Sequence, residues 1–418
     1  MKERIRRWLD QLGPGLITGA ADDDPSGIAT YSQAGAQFGF QLGWTIVLTY
    51  PLMVGIQMVS ARIGRVTGHG LAANIRRRFP RPVLYAIVAM LVVANTINVA
   101  ADIAAMGEAL QLVVGGPEHG HALVFGLLCL GLQVFLPYQR YVRFLKWLTL
   151  ALLAYVGVVF AIAVPWMEVL RGMFWPKLAF PAQMLTVIVA VFGTTISPYL
   201  FFWQAAQEVE DLNADPAAGA LAQAPQGARE HLRRIKIDTY VGMGFSNLIA
   251  LFIVISTAAT LHAAGITSIE TSAQAAEALR PLAGDFAFLL FSLGIIGTGM
   301  LAVPVLAGSA AYAMAETFDW KRGLDLKLGE AREFYAIIAL ATLGGVALDF
   351  TPIDPIKALF WSAVVNGVIA VPIMVVMMLL ADDPEVMGPF VVTRRLKALG
   401  WLATWTMAAA VVAMFVTA

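Results

Sequence analysis

The residues best suited to chemistry in this chain are three consecutive acids, Asp22-Asp23-Asp24, followed at once by Pro25-Ser26-Gly27. They interrupt an apolar stretch, 16–40, that would otherwise read as one membrane-crossing helix. Carboxylates at that depth are too costly to face lipid, so they must face protein, water or a bound ion. Pro25 lacks an N–H, its ring clashes with the preceding turn, and Gly27 tolerates unusual backbone angles; the helix is predicted to break here. A break leaves bare carbonyls on one half and bare N–H groups on the other, and survives only where it lines a cavity or site. A second such place is Phe192-Gly193-Thr194-Thr195-Ile196-Ser197-Pro198-Tyr199, where Pro198 sits in its span much as Pro25 does in the first. Together they predict two halves of one site near the membrane midplane.

The elements that must position these residues are membrane helices. The chain has 418 residues, 59% apolar and 13% charged, with a mean hydropathy of +0.73, so an all-α integral membrane protein is expected. A net charge of zero, with no basic tract interleaved with aromatics, gives nucleic acid no footing as a partner. The single cysteine, Cys129, excludes an intrachain disulfide framework and reads as a packed apolar residue. Eleven spans are predicted: 13–39 (broken), 42–66, 81–113, 122–138, 144–166, 182–211 (broken), 237–263, 283–317, 332–349, 354–380 and 399–417. The connections are short, and the longest, 211–236, reads as a flexible cytoplasmic loop. One domain covering 1–418 is expected, seated in the cell's inner membrane.

Charge sets the orientation. Of the 28 Lys and Arg residues, 24 fall on the side shared with the N-terminal tail; only Arg171, Lys177, Arg280 and Lys357 fall on the other. That asymmetry predicts an N-terminus inside and a C-terminus outside. Five spans separate the start of one broken helix from the start of the other, so the two breaks run in opposite directions. An inverted repeat follows, 1–166 against 182–380, with 399–417 as an additional helix.

Several motifs carry a family resemblance. Gly13-Pro14-Gly15-Leu16, Asp24-Pro25-Ser26-Gly27 and Gln33-Ala34-Gly35-Ala36-Gln37-Phe38-Gly39 resemble the first helix of the Nramp family of divalent-metal transporters. Ser60-Ala61-Arg62-Ile63-Gly64-Arg65-Val66-Thr67-Gly68, Ala307-Gly308 and Thr393-Arg394-Arg395 extend the likeness over essentially the whole chain. The resemblance implies a LeuT-type fold of ten core helices plus one, with alternating access to a central ion site. The departures from the family pattern are chemical. Ser26 and Gly27 replace a glycine and the metal-binding asparagine; Ser197 and Tyr199 replace the methionine and histidine flanking the sixth-helix proline. A second sixth-helix histidine corresponds to Gln204. In the third helix Asp102 matches an acid of the family's proton route, but the next carboxylate is Ala105. The chain therefore resembles outlying, magnesium-transporter-like branches of the family.

Losing a soft thioether leaves carboxylate, hydroxyl, carbonyl and water, a set suited to hard cations. Asp24 is the predicted direct or water-mediated metal ligand, helped by a carbonyl near Ala21 and by Ser197 or the carbonyls around Thr195. Successive helical residues point about 100° apart, so at most two of the three acids can face one ion. Asp22, Asp23, Pro25, Ser26, Gly27, Pro198, Tyr199 and Asn366 are expected to line the site. Asp102, Gln204 and Asp238 are candidates for a proton or ion relay, and Asp238 also for a pair with Arg233 or Arg234. Asn95 and Asn98 read as ties between helices, and Glu208, Glu210 and Asp211 as solvated charges.

These features point to a secondary transporter of manganese or magnesium with weak grounds for proton coupling. The metal ion is its substrate and lipid its surroundings; no cofactor or enzymatic activity is expected, and the protein should be a monomer or weak oligomer. Two alternatives stay open. A carrier of a small anion such as bicarbonate would use the helix N-termini at Ser26-Gly27 and Pro198-Tyr199. A transport-inactive membrane sensor or scaffold would carry the same motifs with a dead site.

Overall fold

The computed structural model describes residues 14–136, 149–176, 181–214, 219–350 and 354–417. Gly13, the basic tail, the charges at 140–146, Lys177 and the first residues of the fifth predicted span lie outside the described residues. Every regular element among the described residues is helical. The principal helices are α1 (Pro14–Asp22), α2 (Pro25–Phe38), α3 (Gly43–Thr67), α4 (Leu71–Arg78), α5 (Arg81–Val114), α6 (Glu118–Phe135), α7 (Leu153–Ala161) and α8 (Trp166–Phe174). They continue with α9 (Ala182–Thr195), α10 (Pro198–Ala214), α11 (Ala228–Thr257), α12 (Ala287–Phe318), α13 (Arg332–Asp349), α14 (Pro355–Ala381) and α15 (Arg394–Thr417).

Both predicted breaks are present. α1 stops at Asp22; Asp24 then takes an extended conformation (φ −67°, ψ 168°) and caps α2, whose first residue is Pro25. α9 stops at Thr195, Ile196 leaves helical geometry (φ −112°, ψ 60°), and α10 restarts on Pro198. The broken helices are also the innermost. In the most apolar window of Ala182–Ala214, 94% of residues are buried, against 39% for α15. α1 packs along α11, α9 along α14, and α10 between α3 and α12; α5 is wrapped by α6, α12, α13 and α14. Close approach rests on glycine. A side chain at Gly19 would strike the Gly242 carbonyl, and one at Gly193 would strike Ala363 and Gly367, so α1–α11 and α9–α14 meet almost backbone to backbone.

Some predicted boundaries move for local reasons. The fourth helix starts at Glu118 rather than 122, because Gly115-Gly116-Pro117 makes the turn and Pro117 caps the helix. The fifth predicted span does not run straight through 166: Pro165 interrupts it, and the run Leu150–Ala161 is bent by 119° from α8. α11 begins at Ala228, nine residues before the predicted 237, and α10 runs on to Ala214, so half of the supposed flexible loop is helix. By length and apolarity, eight described helical runs could cross a membrane, or nine if the bent pair counts as one, against the eleven spans expected. One of these runs, Pro25–Thr67, has 43 residues. At 1.5 Å per residue that is roughly twice the ~30 Å hydrocarbon thickness, and the 3₁₀ turn Gly39–Leu42 divides it into α2 and α3.

Candidate functional site

The two breaks meet. Tyr31 on α2 hydrogen-bonds Thr195 at the end of α9 at 3.0 Å. The Thr195 hydroxyl already donates to the Val191 carbonyl at 2.6 Å, so Tyr31 must be the donor between them. Tyr199 on α10 donates to the Ala21 carbonyl at 3.0 Å and lies 3.3 Å from Asp24 Oδ2. Gly27 sits so close to α9 that an added Cβ would lie 3.2 Å from Thr194 Oγ1.

Asp24 is held unevenly. Its Oδ1 accepts the Gly27 N–H at 2.7 Å and the Ser26 hydroxyl at 2.8 Å, both from its own helix start. Its Oδ2 has longer contacts: Asn98 on α5 donates at 3.2 Å, and the Tyr199 hydroxyl, whose single proton the Ala21 carbonyl contests, lies at 3.3 Å. One oxygen is thus fixed by a cap, and the other is loosely held across three helices. Asp22 and Asp23 turn the other way, toward Ser246 on α11, at 2.5 and 3.1 Å. One hydroxyl has one proton, so it can donate to only one of these two acids at a time. Ser197 reaches back to the carbonyls of Gly193 and Thr194 at 2.8 and 2.7 Å, capping α9, and leaves oxygen lone pairs to spare.

Around these bonds lies a group of buried oxygens without hydrogen-bond partners: Asp22 Oδ1, Asn98 Oδ1, Thr194 Oγ1 and both carboxylate oxygens of Asp102. The Ser26 amide faces Asp102 without reaching hydrogen-bond geometry. Asp22, Asp23, Asp24, Asn98, Asp102, Thr194, Ser197 and Tyr199 are each at most 2% exposed. Arg65 is the only Lys or Arg buried among the described residues, and it sits at the far end of α3 beside His231. Buried acceptors normally find a donor, and unpaired buried carboxylates are expensive. No group of three or more His, Cys, Asp or Glu is arranged to hold a metal among the described residues. A cation here would therefore be bound mostly by hydroxyl, amide and main-chain oxygens.

The sequence profile described as "Natural resistance-associated macrophage protein-like" matches residues 15–417. The chain belongs to the Nramp family. It is similar to the divalent metal cation transporter MntH of Deinococcus radiodurans, 28% identical over 95% of this chain and 87% of that one. The Yersinia enterocolitica MntH is 32% identical over 72% of this chain and 71% of its own. Among solved structures, the Eremococcus coleocola manganese transporter superposes with a TM-score of 0.76 at 17% identity, covering 96% and 86% of the two chains. Mhp1, a nucleobase-cation-symport-1 family transporter, superposes at 0.58 with 13% identity over 97% and 92%. This Nramp protein is accordingly a multi-pass membrane protein with a LeuT-type fold, as its motifs implied.

The remaining predicted residues distribute as follows. Gln204 accepts from Thr18 on α1 at 2.6 Å, and its Nε2 is buried without a partner. Asn366 on α14 is buried with both amide atoms unpartnered. Asp238 accepts the Gly15 N–H, at the start of α1, at 2.7 Å. Glu208 and Glu210 require correction. Glu208 is fully buried in an ion pair with Arg234 at 2.5 Å, and Glu210 accepts from Tyr312 at 2.8 Å. Because α11 starts early, Arg234 lies alongside α10, and these acids are not solvated charges. Asn98, Tyr31 and Ser246 were not singled out for the site. Asn98 had a usable signal, since it lies four residues before Asp102 on one face of α5; Ser246 had none.

Proposed function

We propose that this Nramp protein carries a hard divalent cation, manganese or magnesium, across the membrane by alternating access at the meeting point of its two breaks. The observation that carries this reading is the set of buried, unpartnered oxygens around Asp24, with no buried Lys or Arg beside them among the described residues. The relatives named above as divalent metal or manganese transporters lend it the substrate class. Asp24 Oδ2 is the metal-facing oxygen, because its two contacts are long and come from other helices. The ion displaces Asn98 and Tyr199 from it, and the Ala21 carbonyl, Ser197 and the end of α9 at Thr195 supply further oxygens. A donor set without sulfur or imidazole suits magnesium or manganese and leaves several waters on the ion. The enclosed site needs α1 or α10 to swing before an ion can enter or leave. Asp102 could relay charge, but with Ala105 and Gln204 where the family pattern has a carboxylate and a histidine, the cycle needs no obligatory proton. The chain acts as one transport domain in the inner membrane, N-terminus inside and C-terminus outside, as a monomer or weak oligomer.

The test is uptake into liposomes of manganese, magnesium and bicarbonate in parallel. Movement of either metal, lost in Asp24→Ala, supports the proposal. Movement of bicarbonate alone would make it an anion carrier, and movement of none would leave a sensor or scaffold.

A further inference from the structure

The short helix between α3 and α5 carries charge that the transport site does not use. α4 ends on Arg76, Arg77 and Arg78, with Arg81 opening α5. Positive charge at a helix C-terminus complements the helix dipole, yet adjacent arginines repel one another unless anions answer them. At its other end α4 already holds an anion, since Glu316 of α12 accepts the Ala73 N–H at 3.0 Å. Arg76 is answered by Asp319 at 3.0 Å. Arg78 is answered by Asp383, with Glu385 further off at 3.6 Å. Arg77 forms no ion pair among the described residues.

Beside Arg77 lies a cavity of about 350 Å³, walled in part by Thr67, His69, Arg77, Arg78, Gln223 and Glu385. That is roughly ten waters' worth of space, ample for a tetrahedral oxyanion. Its floor is rigid: the Asn74 amide binds Thr67, the His69 carbonyl and the Gly70 carbonyl at 2.8–3.0 Å. Burial pushes the His69 imidazole below its usual 6.5, and Arg77, Arg322 and Arg76 push it further. The histidine thus sits in a positive field that local acids do not cancel. Glu385 is the one acid in the wall, and it leans on Arg78.

We infer that this cavity binds a phosphate group, carried by an acidic lipid or free in solution, through the Arg77 guanidinium with His69 and Gln223 as further donors. A guanidinium fork matches phosphate oxygens, and three such oxygens can engage all three side chains at once. The location favours the lipid source. α4 joins two membrane helices, and basic clusters where a chain leaves the bilayer attract acidic headgroups. The inference is independent of which ion the protein carries.

The experiment uses the full chain in detergent, with thermal unfolding and native mass spectrometry as readouts. The probes are phosphatidylglycerol, phosphatidylcholine and inorganic phosphate. Phosphatidylglycerol should raise Tm and remain bound where phosphatidylcholine does not, and added salt should weaken the effect. Arg77→Gln should weaken that binding about threefold to tenfold. Arg77 is exposed, so the variant is expected to fold, and its Tm without probe is the control. An Arg77-dependent response to inorganic phosphate alone supports the site with free phosphate as its ligand. No response to either anion, or responses unchanged in both Arg77→Gln and Gln223→Ala, would overturn it.

Discussion

Two regions of this molecule bury acids, and they solve the cost differently. At the start of α11, three residues spaced three and four apart share one face: His231, Arg234 and Asp238. His231 meets Arg65 of α3 at 3.0 Å, Arg234 pairs with Glu208 of α10 at 2.5 Å, and Asp238 holds the Gly15 N–H of α1 at 2.7 Å. One stripe of α11 thus ties the half-helices α1 and α10, together with α3, to one face of a single helix. At the break, by contrast, Asp22, Asp23, Asp24 and Asp102 are buried with hydroxyl, amide and main-chain donors alone, and several of their oxygens have none. An acid matched to arginine makes a clasp; the acids left short of positive charge are those on which the proposed cation site rests. Burying a carboxylate without full compensation costs stability, and a bound cation offsets that cost.

The contrast can be broken at four points. The largest effect is expected at Asp24: Asp24→Ala should abolish metal uptake while the detergent-purified protein keeps a single gel-filtration peak. Retained uptake would remove Asp24 from the site. Next, Arg234→Ala should leave Glu208 buried and unpaired, destabilising the protein by about 3 kcal/mol and lowering Tm by several degrees. Adding Glu208→Gln to Arg234→Ala should recover most of that loss, whereas an unrecovered Tm would mean that Arg234 acts through packing. Tyr199→Phe is expected to matter less and in the opposite direction. It removes the hydroxyl that competes for the Ala21 carbonyl and Asp24 Oδ2, so metal should bind a few-fold more tightly by calorimetry. Weaker binding would place the Tyr199 hydroxyl among the ligands instead. The smallest change is expected for Ser197→Met, which should shift uptake toward manganese or cadmium over magnesium by reintroducing a soft donor. An unchanged preference would show that position 197 does not face the ion.

The two regions were also unequally legible. The break could be read from Asp24-Pro25-Ser26-Gly27 because its causes are local: a missing N–H, a ring clash and a side-chain cap act within four residues. The clasp could not. Glu208 reads as a surface acid until α11 is known to begin at Ala228, and nothing in the loop composition before Arg229 announces that start. The same holds inside the site. The 100° step between helical residues limits how many of the three acids can face one ion, but not which. Only the packing of α1 along α11 sends Asp22 and Asp23 to Ser246 and leaves Asp24 to Asn98 and Tyr199.

By itself the sequence determined the membrane setting, the two broken helices and the oxygen donor types, Ser197 and Tyr199, at the second break. Each follows from side-chain chemistry acting along a short stretch of chain: apolar run length, proline geometry and donor type. Tertiary structure alone decided the partners: Tyr199 on the Ala21 carbonyl, Asn98 on Asp24, Arg234 on Glu208. Those pairs join residues from 26 to 178 positions apart. Their geometry depends on how close glycine-lined helices can approach, which no local pattern encodes.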